Sequence, residues 1–457
     1  MSRIMTKLLK THWPLILLIV LTLATRFWQL GYPPEVVFDE VHFGKFVSSY
    51  FTGEYYFDIH PPLGKLMIAG VAKTFGYEPG FGFERIGKQL DRQQIFILRI
   101  LPAFFGALFV IIIYLIGLEM RLSRFAAFLA AFFVLFDNAL LVESKFVLVD
   151  LFLLCFGFLA LYFFLRSRAV TGKKEFILYG FAALFAGLAV GIKFTGISFA
   201  GIILLFSFID FIKKPRFKKF FYKSLMFVAI AGVTYIIPFY LHFSLLTKSG
   251  PGNAFMSAAF QKNTLNFWNK FLELNKVMYT ASANLTATHP DGSTWSQWPL
   301  GGKPIYYWTE SAKKTTVANI YLIGNLFVWW LVLCAIAVAL FSLCIKKLRK
   351  KLSIFAYLFL AGYFANLLPF VMVKRVAFLY HYLPSLIFGV LLVAVLLDSF
   401  FPVSLKVGKK NFVRLGVYGS IMFLTILTFA FLVPITYGIP VSSDTNTTYQ
   451  NFLKKLH

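Results

Sequence analysis

Residues 97–118 read ILRILPAFFGALFVIIIYLIGL, and Arg99 is the only charged side chain among them. A helix needs about 20 consecutive apolar residues to cross the hydrocarbon core of a bilayer, so this stretch predicts a transmembrane helix. Similar apolar runs lie near residues 14–31, 124–141, 147–165, 176–191, 195–212, 224–246, 318–345, 352–372, 380–400 and 412–435. The chain is therefore predicted to be an all-α integral membrane protein with about 11 transmembrane helices.

The composition supports a membrane protein and excludes several other classes. Of the 457 residues, 59% are hydrophobic and 14% are charged, and the mean hydropathy is +0.74. An average soluble domain has about 45–50% apolar and about 25% charged residues. These differences exclude a disordered chain, a disulfide-stabilised scaffold and an ordinary soluble globule.

Basic residues are concentrated in alternate loops, which predicts the orientation of the chain in the membrane. The richest segments are 3–10, 121–124, 166–174, 213–223, 346–351 and 406–414. Because Lys and Arg favour cytoplasmic loops, we expect a cytoplasmic N-terminus, a transmembrane domain of residues 1–435 and an external tail of residues 436–457. The net charge of +26 then faces anionic membrane lipids, and no nucleic-acid partner is expected. The first apolar run continues into Phe27 and Trp28, which favours a retained helix over a cleaved signal peptide.

Two of the predicted external loops are long, at about 32–96 and 247–317. Within the first, residues 61–77 are too short and too interrupted to span a bilayer. Within the second, residues 255–280 carry apolar side chains at helical spacing. Both stretches are predicted to form helices that lie in the membrane interface.

Charged side chains are costly at membrane depth and usually face a cavity or a partner. The predicted external end collects many of them: Asp39 and Glu40; His60 and Lys65 in HPPLGK; Arg99; Lys145 and Asp150 in DNALLVESKFVLVD; Lys193 in GIKFTG; His289, Trp295 and Trp298; and Arg375, Tyr380 and His381 in KRVAFLYHYLP. Taken singly, each has an ordinary explanation, such as a solvated acidic pair, a helix start at proline, a core histidine or an aromatic belt. Their concentration at one membrane face favours a binding site.

Carboxylates beside several cations suit the transfer of a group from a lipid phosphate. Lys and Arg stabilise the charge that develops on a leaving phosphate, and a carboxylate can deprotonate an attacking hydroxyl. The interfacial helices would admit a substrate that is itself a lipid. No metal site is expected, because the carboxylates are not grouped with His or Cys at ligand spacing, and no cofactor is implied.

Several motifs resemble those of the dolichyl-phosphate-mannose protein O-mannosyltransferases over roughly residues 30–436. The stretches that carry the resemblance are FDEVHFGKF, EYYFDIHPPLGKL, LRILPAFFG, DNALLVESKFVLVD, SGPGNAFMSAAFQ and WPLGGKPIYYW. The resemblance implies a C-type glycosyltransferase fold with eleven spans. It also implies inverting transfer of mannose from a polyprenyl-phosphate donor to Ser or Thr hydroxyls of secreted or membrane proteins.

The resemblance also assigns roles to residues. Asp39 and Glu40 match the catalytic acidic pair of the first external loop, of which either could be the base that acts on the acceptor hydroxyl; Asp39 is favoured as the base and Glu40 as the substrate-positioning acid. Lys193 matches a lipid-phosphate contact, and Arg99 matches the arginine that opens the second span. Further substrate contacts are expected at the other matched positions, which are His60, Lys65, Lys145, Asp150, His289, Trp295, Trp298, Arg375, Tyr380 and His381.

The sequence departs from the family pattern in two respects. Lys145 and Lys303 stand where arginine is usual, and lysine is a point charge rather than a bidentate fork. The loop at 247–317 has no room for the β-trefoil (MIR) insert of eukaryotic members. This favours a prokaryotic plasma-membrane enzyme with an external active site. If the source is eukaryotic, the expected location is the membrane of the endoplasmic reticulum.

Two other hypotheses compete with this one. Another C-type glycosyltransferase could move a different sugar, or use a lipid or glycan acceptor, because the acidic pair recurs across such enzymes. A transporter is less well supported, because it predicts repeated halves with broken helices near the midplane, and no internal repeat is visible.

Overall fold

The computed structural model describes residues 2–310, 315–402 and 409–456, so the predicted basic segment 406–414 lies partly outside the described residues. Its helices are Ser2–Phe27 (α1), Glu40–Thr52 (α2), Leu63–Thr74 (α3), Arg92–Glu119 (α4), Arg124–Leu135 (α5), Asn138–Lys145 (α6), Asp150–Arg168 (α7), Lys173–Ile192 (α8), Ile197–Lys213 (α9), Phe217–Leu245 (α10), Ala258–Gln261 (α11), Phe267–Ala283 (α12), Leu326–Cys344 (α13), Lys346–Arg349 (α14), Ile354–Leu367 (α15), Leu383–Phe400 (α16), Lys409–Tyr437 (α17) and Ser443–Lys454 (α18). Its strands are Ile305–Thr309 (β1), Thr316–Val317 (β2), Asn319–Leu322 (β3) and Val441–Ser442 (β4).

The predicted fold class of a helical membrane protein is confirmed. Among the described residues, nine helices are long and apolar enough to cross a membrane, or ten if α5 and α6 form one bent span. The apolar part of α1, His12–Phe27, is shorter. The count of eleven spans requires α1 to cross as well, and it stays a prediction.

The predicted span at 124–141 is bent, because α5 and α6 meet at an angle of 57°. Asp137 follows the end of the first helix and caps the second, since its Oδ1 accepts a hydrogen bond from the backbone N–H of Leu140 at 3.0 Å. The buried guanidinium of Arg26 donates to the carbonyls of Val134 and Leu135, at 2.9 and 2.7 Å, and so satisfies the open end of α5. The bend turns α6 into the protein interior.

The two predicted loop helices are present with different bounds. Residues 61–77 contain α3. Residues 255–280 divide into α11 and α12, because Asn263 adopts a positive φ of 56° and interrupts the helix. The side chain of Asn266 then accepts a hydrogen bond from the backbone N–H of Asn269 at 2.9 Å, which starts α12.

The predicted span at 318–345 is wrong at its beginning. Residues 319–322 form β3, which pairs with β1 in an antiparallel sheet that places Ile305 opposite Leu322. The helix α13 begins only after Asn325, whose side chain accepts from the backbone N–H of Val328 at 3.3 Å. The sheet matters for the site, because the backbone carbonyl of Tyr307 accepts a hydrogen bond from the N–H of Phe38 at 3.1 Å.

The packing of α7 against α8 brings two charged residues together. These helices are consecutive and antiparallel, and they have 19 and 20 residues. The first residue of α7, Asp150, therefore lies beside Lys193, which follows the last residue of α8. The same geometry puts Arg168 and Lys173 together at the opposite end of the bundle.

Candidate active site

A cavity of about 580 Å³ lies at the end of the bundle where α7 begins and α8 ends. Lys193 forms an ion pair with both carboxylate oxygens of Asp150, at 2.8 and 2.7 Å. The side chains are only 10% and 13% exposed. We call this space the Lys193 cavity. It offers a cation at low dielectric, where charge–charge interactions are stronger than in water.

One wall of the Lys193 cavity comes from the segment before α16. The ammonium of Lys193 lies over the ring of Tyr380, 5.1 Å from its centroid. His381 stacks on that ring at 4.6 Å. Arg375 lines the cavity and has no acidic partner among the described residues, and burial lowers the pKa of its guanidinium. A second cation is therefore free to meet an anionic ligand.

Another part of the wall is apolar and reaches the lipid-facing surface. Leu153, Phe194 and Pro369 line it, and the cavity-lining side chains of Ile197 and Met372 are 66% and 85% exposed. A ligand with a charged head and a long apolar tail fits this arrangement.

Asp39 lies immediately before α2 and is half-buried. It is held by a strained turn, because Phe38 has a positive φ of 43° and stacks on Tyr307 with ring centroids 4.3 Å apart. Its carboxylate accepts no hydrogen bond from any residue that the structure describes. Burial raises the pKa of Asp39 to about 6, against the lowering effect of His42 and Lys193.

Glu40 and Arg99 lie behind Asp39 and are fully engaged with each other and the backbone. Two Arg99 nitrogens, Nε and Nη2, donate to Glu40 at 2.8 and 2.7 Å, and the remaining N–H groups meet backbone carbonyls of residues 30–35. Glu40 also accepts from the backbone N–H groups of Val37 and Val147, at 2.9 and 3.0 Å. Both side chains therefore position the loop that carries Asp39, and neither has a free polar group for a substrate.

His60 and Lys65 lie next to this site, in a buried network that also contains Asp58. The ammonium of Lys65 forms an ion pair with Asp58 and donates to the carbonyl of His60 at 2.8 Å. Although burial opposes it, Lys65 lowers the pKa of the Asp58 carboxyl. Burial lowers the pKa of His60 to about 3, so this imidazole is neutral at ordinary pH. Lys65 is thus occupied by protein groups.

Lys145 lies outside the Lys193 cavity. Its ammonium donates to the backbone carbonyl of Trp28 and lies over the ring of Tyr437, 4.8 Å from the centroid. These contacts tie α6 to α1 and α17. The predicted substrate contact at Lys145 has no support in this geometry, because the bend after α5 points the residue towards the first and last long helices.

His289, Trp295 and Trp298 line a second groove of about 600 Å³, together with Lys303 and Arg375. Trp298 is fully buried and stacks on His381 at 5.9 Å, whereas His289 is exposed at the rim. We call this space the Trp298 groove. Since Arg375 lines both spaces, the groove adjoins the Lys193 cavity.

Three residues near the site were not predicted as members of it. The buried Glu143 accepts a hydrogen bond from the hydroxyl of Tyr307 at 2.7 Å, and its other oxygen has no hydrogen-bond partner among the residues that the structure describes. The third is Asp58. All three residues belong to motifs that carry the family resemblance, Asp58 in EYYFDIHPPLGKL, Glu143 in DNALLVESKFVLVD and Tyr307 in WPLGGKPIYYW, and this is the signal in the sequence that could have found them. Within the described parts of the chain, no group of His, Cys, Asp and Glu is arranged to hold a metal ion.

Two family models match this chain. The model "Dolichyl-phosphate-mannose-protein mannosyltransferase" matches residues 16–247, and the model "C-terminal four TMM region of protein-O-mannosyltransferase" matches residues 267–455. The chain belongs to the protein O-mannosyltransferase family. The resemblance inferred from the motifs is therefore confirmed, and the two matched regions contain every residue of the site described above.

Individual members of the protein O-mannosyltransferase family share about a third of their matched residues with this chain. Protein O-mannosyltransferase 1 of Drosophila melanogaster is 32% identical over 335 residues, which cover 69% of this chain and 37% of that protein. Dolichyl-phosphate-mannose–protein mannosyltransferase 4 of Candida albicans is 36% identical over 269 residues, covering 55% and 35%. The chain thus spans less than half the length of the curated relatives it matches.

Solved structures show that the fold is shared more widely. The S. cerevisiae protein O-mannosyltransferase Pmt1-Pmt2 complex bound to the sugar donor superposes with a TM-score of 0.86 at 19% identity, over 96% of this chain and 92% of that chain. ArnT from Cupriavidus metallidurans superposes with a TM-score of 0.59 at 14% identity, over 94% and 77%. These similarities confirm the predicted C-type glycosyltransferase fold.

Proposed function

We propose that this chain transfers mannose from a polyprenyl-phosphate-mannose donor to Ser or Thr hydroxyls of proteins, with inversion at the anomeric carbon. The observation that carries the proposal is the unengaged carboxylate of Asp39 beside a cationic cavity that reaches the lipid-facing surface. The names of the family and of its members supply the sugar and the class of acceptor.

The Lys193 cavity is suited to the lipid donor. Its phosphate would meet Lys193 and Arg375, and its polyprenyl chain would follow the apolar wall to the membrane. Lys193 is paired with Asp150, which holds the ammonium in place. As the sugar leaves, a second negative charge develops on the phosphate, and these cations stabilise it.

Asp39 is the best-placed base, because the other carboxylates near it are either in ion pairs or, in the case of Glu143, fully buried and hydrogen-bonded to Tyr307. Asp150 is paired with Lys193, and Asp58 with Lys65. In the proposed reaction the acceptor hydroxyl oxygen attacks the anomeric carbon and the bond from that carbon to the phosphate oxygen breaks. The hydroxyl proton passes to Asp39. A base whose pKa lies near the working pH is ionised yet still accepts a proton readily.

The acceptor segment would occupy the Trp298 groove. This groove is open at its rim, carries aromatic side chains and meets the Lys193 cavity at Arg375. A Ser or Thr side chain reaching past Arg375 would approach the sugar from the side of the Asp39 loop. The protein met here would be a secreted or membrane protein.

The proposed location is the plasma membrane of a prokaryote, with the active site outside and the N-terminus in the cytoplasm. The basic loops near residues 166–174 and 213–223 lie at the end of the bundle opposite the Lys193 cavity, which supports this orientation through the preference of Lys and Arg for the cytoplasmic side.

The test is a transfer assay with purified protein. Radiolabelled polyprenyl-phosphate mannose and a Ser/Thr-rich peptide are expected to yield mannosyl peptide whose anomeric configuration is opposite to that of the donor. The same peptide with Ala at every Ser and Thr is the control and should stay unlabelled. Transfer only from polyprenyl-phosphate glucose would overturn the assignment of the sugar, and labelling of the control peptide would overturn that of the acceptor.

A further inference from the structure

A different cavity, of about 450 Å³, lies where α7 and α9 end and α8 and α10 begin. We call it the Arg168 cavity. The helix α7 starts at Asp150 in the Lys193 cavity and ends at Arg168 in this one, after 19 residues. At 1.5 Å per residue this separation is about 28 Å, close to the roughly 30 Å thickness of the hydrocarbon core. The Arg168 cavity therefore lies at the opposite membrane interface.

The charged side chains that line the Arg168 cavity are mostly cations: Arg168, Lys213, Lys214, Arg216, Lys219 and Lys223, against the two acids Glu175 and Asp210. Both acids are already paired. Arg168 meets the two oxygens of Asp210 at 2.8 and 2.7 Å, and Glu175 accepts from Lys219 and Lys223. The three remaining cations have no acidic partner among the described residues.

The unpaired cations are Lys213, Lys214 and Arg216, and apolar side chains flank them on both sides. Ile212 and Phe217 are 62% and 70% exposed. In a transmembrane bundle, apolar side chains exposed to this degree face acyl chains. Inside, the rings of Phe211 and Phe220 stack at 4.7 Å and form part of the wall. An anion held here would sit at headgroup level with hydrocarbon beside it.

We propose that the Arg168 cavity binds the phosphate of an anionic phospholipid from the leaflet opposite the Lys193 cavity. The unpaired cations supply the charge, and the paired acids do not repel the ligand because Arg168, Lys219 and Lys223 neutralise them. The exposed apolar side chains at its edge favour a lipid over a soluble phosphate. This binding is independent of the proposed glycosyl transfer, and it differs from diffuse attraction to a charged surface because these cations line one cavity.

Native mass spectrometry of the full chain in neutral detergent can test the proposal by titration with phosphatidylglycerol. The variant Lys213→Ala/Lys214→Ala/Arg216→Ala removes the three unpaired cations. The matched control Lys346→Ala/Lys347→Ala/Arg349→Ala removes three cations from a basic segment that does not line the cavity. A basic residue near the membrane surface contributes roughly fivefold in affinity. We expect at least tenfold weaker binding in the first variant and less than a twofold change in the control.

Two competitors identify the source of the phosphate. Phosphatidylcholine, which is zwitterionic, and glycerol 3-phosphate, which has no acyl chains, are each expected to leave phosphatidylglycerol bound at equal concentration. Equal weakening in the two triple variants would overturn the site, since it would show only general charge attraction. Displacement by glycerol 3-phosphate would overturn the assignment to a lipid. All substituted side chains are exposed, and unchanged thermal unfolding of the variants would show that they fold.

Discussion

Replacing Arg99 by methionine tests whether the buried ion pair with Glu40 holds the Asp39 loop in place. The two side chains are 0% and 1% exposed. In Arg99→Met, the Glu40 carboxylate stays buried with only the backbone N–H groups of Val37 and Val147 as partners. Removing one partner of a buried ion pair costs about 3–5 kcal/mol, so we expect the free energy of unfolding to fall by that amount.

Two further variants separate this effect from a general loss of charge. Arg166 forms an ion pair with Glu119 at 3.6 Å, and the side chains are 44% and 20% exposed, so Arg166→Met should cost at most about 1 kcal/mol. The double variant Glu40→Leu/Arg99→Met removes both buried charges and should recover part of the stability. It should not recover mannosyl transfer, because the loop that carries Asp39 is no longer held.

The free energy of unfolding is measured by denaturant titration in one detergent with tryptophan fluorescence, and transfer by the initial rate with labelled donor. If Arg99→Met is no less stable than Arg166→Met, the ion pair is not the clamp described here. If the double variant is as active as the wild-type protein, the positioning role of Glu40 is refuted, even if Arg99→Met loses the expected stability.

Three further outcomes are expected. Because burial raises the pKa of Asp39 to about 6 and a base acts only when deprotonated, kcat/KM should fall about tenfold per pH unit below pH 6 and level off above it; a profile that stays level down to pH 5 would contradict this. Lys193→Ala should lower kcat/KM for the lipid donor by about a hundredfold or more, since a preorganised charge is lost, and unchanged donor kinetics would exclude its role. Lys145→Met breaks contacts with Trp28 and Tyr437, so it should cost roughly 1–3 kcal/mol of stability with donor KM unchanged, and a raised donor KM would place Lys145 in the site after all.

Most of the fold follows from local sequence properties, but the start of α13 depends on a contact with another segment of the chain. The length of each apolar run identifies the long helices, because a run that is long and hydrophobic enough can form a span. This criterion fails at 318–325, where the apolar residues of β3 pair with β1 instead of continuing α13. A short apolar run is compatible with a strand or a helix, and the choice here depends on a partner strand elsewhere in the chain.

The sequence partly predicts which residues belong to the site, but it does not predict which of their charged side chains form ion pairs with each other. Asp39, Asp150, Lys193 and Arg375 stand out because charge is expensive near apolar segments. The sequence does not show that Arg99 is saturated by Glu40 and the backbone, while Asp39, one residue earlier, is unengaged. This distinction depends on contacts between helices that are distant in sequence. The spacing of apolar residues along a helix indicates only which of its faces is buried.

The most direct test of the central claim is a single-turnover measurement on Asp39→Asn with donor already bound. This substitution keeps the size of the side chain and removes its capacity to accept the proton. We predict that mannosyl transfer falls by about 10²–10⁴-fold while the Kd for the donor stays within threefold, because Lys193 and Arg375 hold the phosphate. Transfer at more than a tenth of the unchanged protein's rate would contradict the assignment of Asp39 as the base.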